Sequence, residues 1–517
     1  MSRERGALRV VCYAVNGTGV GHLTRLLSMA RWLRRYAAAM GRKVEVWFLT
    51  SSEAEGLVFA EGFAAFKIPS KTIVAEAGID RGAYLALAKQ WVWHTIGLLR
   101  PDLFIVDTFP RGSFGELLGA LDLCRRTAFV YRPVRAEVAE RADFQAMLPL
   151  YDLVIVPEAS TPVLAPKSID DRLVHVGPVL SRERWELMPR EVARAQLGIE
   201  GDRKCVFVSA GGGGDRGAEA HLQEAVRSLS GDPGLEIVVG AGPLYRGRPF
   251  AGVTTLTGRA AEWSLAFDAA VCAAGYNTFG ELMFAGVPAA FLPQDKLADD
   301  QRARAERAVA SGAAAMLAPG DDVHAVVKEL LARPGARAAA RRLVPENGAR
   351  AAAAELLRLV CSPIEVDRVE AALDDELLER LPRARELEVL SLAKRLAAGR
   401  DAELASAIEH ALSLLGREGP GAHAAREMRR LVDAVAHGLP SSGVEMRAAV
   451  CEAAMTELDV LAPGDGAAAR AAVAEGRWIA TDDAVADGIA LAHAIRGEAV
   501  ASLEATEPSS RGRGGSG

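Results

Sequence analysis

One pattern occurs twice in this chain and constrains it more than any composition figure: a short apolar run that ends in a cluster of glycines. The first is Leu8 to Val15, followed by Asn16-Gly17-Thr18-Gly19-Val20-Gly21-His22. The second is Cys205-Val206-Phe207-Val208-Ser209, followed by Ala210-Gly211-Gly212-Gly213-Gly214-Asp215. A short apolar run broken by glycine reads as a buried strand. Each glycine costs backbone entropy, so four in a row are hard to explain by packing. Close approach of the backbone to a diphosphate is the better reading.

Strands and helices alternate after each glycine cluster. Val44 to Leu49, Leu103 to Asp107, Thr127 to Tyr131 and Leu153 to Val156 read as strands, and Tyr84 to Leu99 as a helix. His175-Val176-Gly177-Pro178-Val179 and the charged stretch Arg182 to Arg190 read as a linker. The alternation then restarts, with Leu235 to Gly240 and Val253 to Leu256 as strands. Such alternation predicts parallel sheets, with ligands at the C-terminal ends of the strands. The chain is therefore read as two α/β halves.

In the first glycine loop, His22 stands where a dinucleotide fingerprint needs its third glycine, and no Gly-Lys-Ser/Thr sequence occurs, so a Walker A loop is excluded. Glycines followed by a helix N-terminus favour a phosphate or a sugar. His22 at that junction is a candidate general base, set against a structural cap. Asp107, at the end of a strand, either orients His22, touches a substrate or caps a turn.

A third stretch runs Ala269-Ala270-Val271-Cys272-Ala273-Ala274-Gly275-Tyr276-Asn277-Thr278-Phe279-Gly280-Glu281-Leu282. It predicts a strand broken at Gly275, then a helix capped by Asn277 or Thr278 with Glu281 in its first turn. The next strand is read at Val287 to Leu292. Glu281 is placed to accept hydrogen bonds from a ribose or sugar hydroxyl. An ordinary strand-to-helix turn is the plain alternative.

A chain of 517 residues exceeds one hydrophobic core, and its net charge of −6 gives no general attraction to nucleic acid. The six cysteines (Cys12, Cys124, Cys205, Cys272, Cys361 and Cys451) contain no Cys-x-x-Cys pair and read as mostly buried thiols. The apolar run at Leu8 is short for a leader, and no run is long enough to span a membrane, so a cytoplasmic protein is expected. Arg25, Arg31, Arg34 and Arg35 punctuate the helix at 23–40, where they either face solvent or lie against anionic lipid at the inner face of the membrane. Residues 363–505 read as a helical extension on the spacing of Leu373, Leu377, Leu378 and Leu381, and later of Met428, Leu431, Val432 and Val435. It is a candidate surface for a protein partner. His410, His423 and His437 within it lack ligand spacing. Residues 506–517 read as a disordered tail.

Taken together, Gly17-Thr18-Gly19-Val20-Gly21-His22 with Arg25, the loop from Ser209 to Gly214, Gly275-Tyr276-Asn277-Thr278 with Glu281, Ala285-Gly286-Val287-Pro288, and Gln301 after Asp299-Asp300 resemble the GT-B glycosyltransferases. Within them the likeness is to family 28, the MurG-type transferases. It covers about residues 8 to 360. The resemblance implies two Rossmann-like parallel-sheet domains facing a cleft, at 1–177 (acceptor) and 178–362 (donor). It implies an inverting transfer from a UDP-sugar to a hydroxyl acceptor, with no metal or other cofactor. Glu281 would hold the ribose, Asp300 and Gln301 would contact the donor sugar, and His22 would be the base. The chain departs from the family at Pro293-Gln294-Asp295-Lys296 and in lacking a Ser-Gln-Gly run after Ser209. The absence of any Asp-x-Asp pair agrees with a metal-free site. A nucleotide-sugar hydrolase, an epimerase and a non-catalytic nucleotide-sugar-binding scaffold are the competing functions.

Overall fold

The computed structural model describes residues 7–15, 19–40, 42–214, 217–250, 252–256, 258, 260–296 and 299–372. The chain divides into two compact units. One is Leu8–Leu33 with Val44–Pro363; the other is Met1–Ala7 with Arg34–Lys43 and Ile364–Gly517. In the second unit, Arg42 pairs with Glu365 at 3.4 Å. The predicted helical extension beyond residue 372, its histidines and the tail lie outside the described residues.

The first unit holds two parallel sheets. The N-terminal sheet comprises β1 (Leu8–Ala14), β2 (Val44–Thr50), β3 (Ala64–Lys67), β4 (Leu103–Asp107), β5 (Thr127–Val130), β6 (Leu153–Val156) and β7 (Leu173–His175). The C-terminal sheet comprises β8 (Lys204–Ser209), β9 (Leu235–Gly240), β10 (Thr254–Leu256), β11 (Ala269–Cys272), β12 (Ala289–Phe291) and β13 (Ala314–Met316). Their orders are β3-β2-β1-β4-β5-β6-β7 and β10-β9-β8-β11-β12-β13. Each sheet changes its direction of winding once, between β1 and β4 and between β8 and β11. Ligands of doubly wound sheets bind at the C-terminal ends of such strand pairs. These two Rossmann-like sheets are what the GT-B resemblance implies.

Sheets covered on both faces need strands that are apolar throughout. All five residues of β4 and all four of β5, β6 and β11 are buried. Alternate side chains of the C-terminal sheet feed separate cores. Phe207, Val238, Ala270 and Cys272 pack on one face, and Val206, Val208, Val239 and Val271 on the other. Each fully buried large apolar side chain contributes about 1.5–3 kcal/mol.

Several expectations need correction. β3, β7 and β13 were not anticipated, because three or four residues carry too little pattern to read. The charged stretch read as a linker does join the two sheets, between β7 and β8, but it is not a solvated tether: Arg182, Glu183 and Glu186 are buried, while Arg184 is exposed. Of the four arginines named on the helix Gly21–Ala39, three are not available to a surface, and Arg34 is half-buried. Arg25, Arg31 and Arg35 are buried, the first two in ion pairs within the protein. Among the described residues, no helix is long and apolar enough to cross a membrane.

Candidate functional site

The two winding reversals face each other across a cavity of about 490 Å³. Gly19, Gly21 and His22, which follow β1, lie on one wall. Gly211 and Gly212, which follow β8, and Gly275 to Thr278, which follow β11, lie on the other. The approach is close. A Cβ on Gly212 would stand 3.3 Å from the Val20 nitrogen, and Asn277 Nδ2 reaches the Gly21 carbonyl at 3.5 Å. Gly17 lies outside the described residues.

On the N-terminal wall, His22 Nδ1 meets Asp107 Oδ2 at 2.5 Å. Arg25, one helical turn on, donates from Nε to Asp107 Oδ1 and from Nη2 to Asp107 Oδ2, each at 2.8 Å. Burial opposes ionisation of Asp107, yet Arg25 and His22 hold its carboxyl well below the usual carboxylate range. An ionised Asp107 can only accept, so Nδ1 of His22 is the protonated nitrogen and Nε2 carries the lone pair. Burial lowers the pKa of His22, with the hydrogen bond to Asp107 working against it. Its side chain remains 15% exposed. Asp107 thus orients His22. It is fully enclosed and does not line the cavity. The next residue, Thr108, has a φ of 64°, a strained conformation for a β-branched side chain, and its hydroxyl donates to Asp107 Oδ2 at 3.0 Å.

The C-terminal wall is built from backbone. The helix Tyr276–Ala285 starts at Gly275 with no side-chain cap, so Asn277 and Thr278 are first-turn residues rather than caps. Glu281 lies in the second turn, not the first. A helix start leaves its first N–H groups without intrahelical partners, and here those residues line the cavity. Asn277 Oδ1 is buried with no hydrogen-bond partner among the described residues. The four glycines divide their work. Gly211 has a φ of 70° and donates its N–H to Ser209 Oγ at 3.1 Å, which shapes the turn. Gly212 faces the opposite loop. Gly213, at a φ of 80°, packs where a Cβ would stand 2.3 Å from the Ala241 carbonyl oxygen. Gly213 and Gly214 do not line this cavity.

Tyr276 contributes its ring rather than its hydroxyl, which donates to the Pro157 carbonyl. Arg25 lies over the ring at 5.0 Å and Arg304 at 5.6 Å. Gln301 is buried at the cavity, its Oε1 accepting from the Gln294 N–H at 3.0 Å. Asp300 is not a cavity residue: it is exposed and caps the helix Gln301–Ala310 by accepting from the Ala303 N–H at 3.0 Å. Its neighbour Asp299 lines the cavity instead. Asp299 Oδ1 accepts from Arg132 at 2.7 Å and from Arg304 at 2.8 Å, so a residue of each half meets on one carboxylate. Arg132, Arg304 and Thr108 were missed in the sequence. Asp299 is among the residues that carry the resemblance, but the resemblance assigns the role to Asp300.

No protein-family model matches the chain. Over 66 residues, 13% of this chain, it is 39% identical to an uncharacterised glycosyltransferase of Methanopyrus kandleri. The match spans 19% of that relative's length. Among solved structures, the chain is similar to the calicheamicin glycosyltransferase CalG4, with a TM-score of 0.45 and 18% identity over 71% of this chain and 98% of that one. It is also similar to the spinosyn forosaminyltransferase SpnP, with a TM-score of 0.47 and 16% identity over 71% and 99% of the two chains. A third is the glycosyltransferase SnogD from Streptomyces nogalater, with a TM-score of 0.46 and 18% identity over 68% and 99%.

Proposed function

We propose that this chain transfers a sugar from a UDP-sugar to a hydroxyl acceptor, with inversion and without a metal ion. The observation that carries the reading is the pairing of unlike walls: an oriented histidine on one side of the cleft, and a glycine turn with a helix N-terminus on the other. In this reading the acceptor hydroxyl attacks the anomeric carbon as its proton passes to His22 Nε2. The bond from that carbon to the phosphate oxygen breaks, and the electron pair leaves with the diphosphate. Negative charge then grows beside the first-turn N–H groups of Asn277 and Thr278 and beside Gly212, groups fixed before the reaction begins. Attack from the side opposite the leaving group inverts the anomeric centre. Asp107 keeps His22 in the reactive tautomer and stabilises the imidazolium that forms. Glu281 receives the ribose hydroxyls, and Gln301 faces the sugar.

Product analysis tests the proposal. The full chain is incubated with UDP-, GDP- and dTDP-sugars, with EDTA, with and without a panel of glycoside and glycolipid acceptors. The expected result is UDP release that depends on an acceptor and survives EDTA. Free sugar formed without an acceptor would make the protein a hydrolase, and an isomeric nucleotide sugar would make it an epimerase. No turnover of any donor would contradict catalysis.

A further inference from the structure

The connection between the two halves carries a residue on which both converge. The Ser181 hydroxyl donates to Glu281 Oε1 at 2.6 Å. Its carbonyl oxygen accepts from Arg31 Nη1 at 2.6 Å and from Arg182 Nη1 at 2.8 Å. Arg31 belongs to the helix Gly21–Ala39, which presents His22 in its first turn, and Glu281 to the helix that opens the donor wall. The neighbouring ion pairs reinforce this joint. Arg182 meets Glu61 of the N-terminal half at 2.5 Å and Glu262 of the C-terminal half at 2.6 Å. Arg31 pairs with Glu61 at 3.2 Å and also with Glu186. Glu281, Ser181, Arg182, Arg31, Glu61 and Glu262 all border the cavity.

A half-buried carboxyl is of use to a ligand hydroxyl only if its orientation is fixed and its lone pairs are available. Burial raises the pKa of Glu281 from its ordinary value, and the Ser181 hydroxyl, the charge of Arg182 and the Ser181 backbone N–H oppose that rise. A carboxylate offers about four acceptor positions, so holding it from one side leaves others for a ligand. Resting on the reading of Glu281 as the receiver of ribose hydroxyls, we propose that Ser181 is a positioning residue. It aims Glu281 at the ribose and, through Arg31, ties that contact to the half that carries His22.

The experiment compares UDP with 2′,3′-dideoxy-UDP by titration calorimetry on the full chain. A charge-assisted hydrogen bond to the ribose gives the unaltered protein a preference for UDP of roughly tenfold or more. Ser181→Ala, which loses the hydroxyl but keeps the backbone N–H to Glu281, is expected to reduce that preference severalfold while leaving the dideoxy nucleotide bound as before. Ser181→Thr, which keeps a hydroxyl, restores it. Arg31→Lys, which keeps the charge and loses the fork, reduces it by a smaller factor. If Ser181→Ala weakens both nucleotides alike, or leaves the preference intact, the positioning role is overturned. Should that variant not fold, Ser181→Cys carries the same comparison. Glu281→Gln separates the two levels. If it leaves the preference intact, the ribose reading itself fails. If it abolishes the preference while Ser181→Ala does not, only the role of Ser181 falls.

Discussion

The two walls of the cleft rest on the same local design, a strand, a tight loop and a helix N-terminus, and have been filled with opposite chemistry. On the N-terminal wall the loop after β1 and the end of β4 hold a neutral His22 against the buried ion pair of Asp107 and Arg25. On the C-terminal wall the corresponding positions after β8 and β11 hold glycines and backbone N–H groups. One wall can move a proton, and the other can receive an anion. A parallel sheet supplies the position, and the side chains at its winding reversal decide the use.

The comparison can be broken first at its most buried point. Asp107→Ala leaves the Arg25 guanidinium enclosed and unpaired, a change that costs about 3–5 kcal/mol. Chemical denaturation is expected to show that loss near neutral pH. The sign with pH follows from the depressed carboxyl of Asp107: its contribution is complete above the ordinary carboxylate value near 4 and declines as pH falls below it. The gap between variant and parent should therefore narrow in strong acid. A constant gap would contradict the ion-pair account.

His22→Ala should lower turnover by roughly 10²–10⁴-fold and leave UDP affinity nearly unchanged. Because burial lowers the pKa of His22, its base form persists below the pH at which a free histidine titrates. The acid limb of the rate profile should accordingly lie below about 6.5. A limb displaced above that value would exclude His22 as the base.

Neighbouring glycines sharpen the comparison. Gly213→Ala strains a left-handed position and drives its Cβ into the Ala241 carbonyl, so a stability loss of about 1–3 kcal/mol is expected by thermal unfolding. Gly212→Ala meets only the opposite loop and should weaken UDP binding with little change in stability. The smallest effect concerns adjacent carboxylates. Asp300→Ala removes a helix cap worth about 0.5–2 kcal/mol and should leave UDP binding untouched. Asp299→Asn should alter use of the sugar donor, because Arg132 and Arg304 both lose their charged partner.

The architecture was legible because fully buried parallel strands are apolar runs, and because glycine marks where β1, β8 and β11 end. The same signals led to His22, Asp107 and Gly275 to Glu281. What stayed hidden was long-range charge pairing. Arg132 and Asp299 lie 167 residues apart and share no periodicity. Arg25 and Arg31 look like surface charge on a helix until Asp107 and Glu186 are seen folded against them. Asp300 caps the following helix and Asp299, one residue before it, faces the cleft, a distinction set by where that helix starts.

The measurement that bears most directly on the central claim is calorimetric titration of UDP into the full chain in EDTA, repeated for His22→Ala and Glu281→Gln. The division of labour between the walls requires saturable binding that His22→Ala preserves and Glu281→Gln weakens. No binding to the parent chain, or binding lost in His22→Ala and retained in Glu281→Gln, would contradict it.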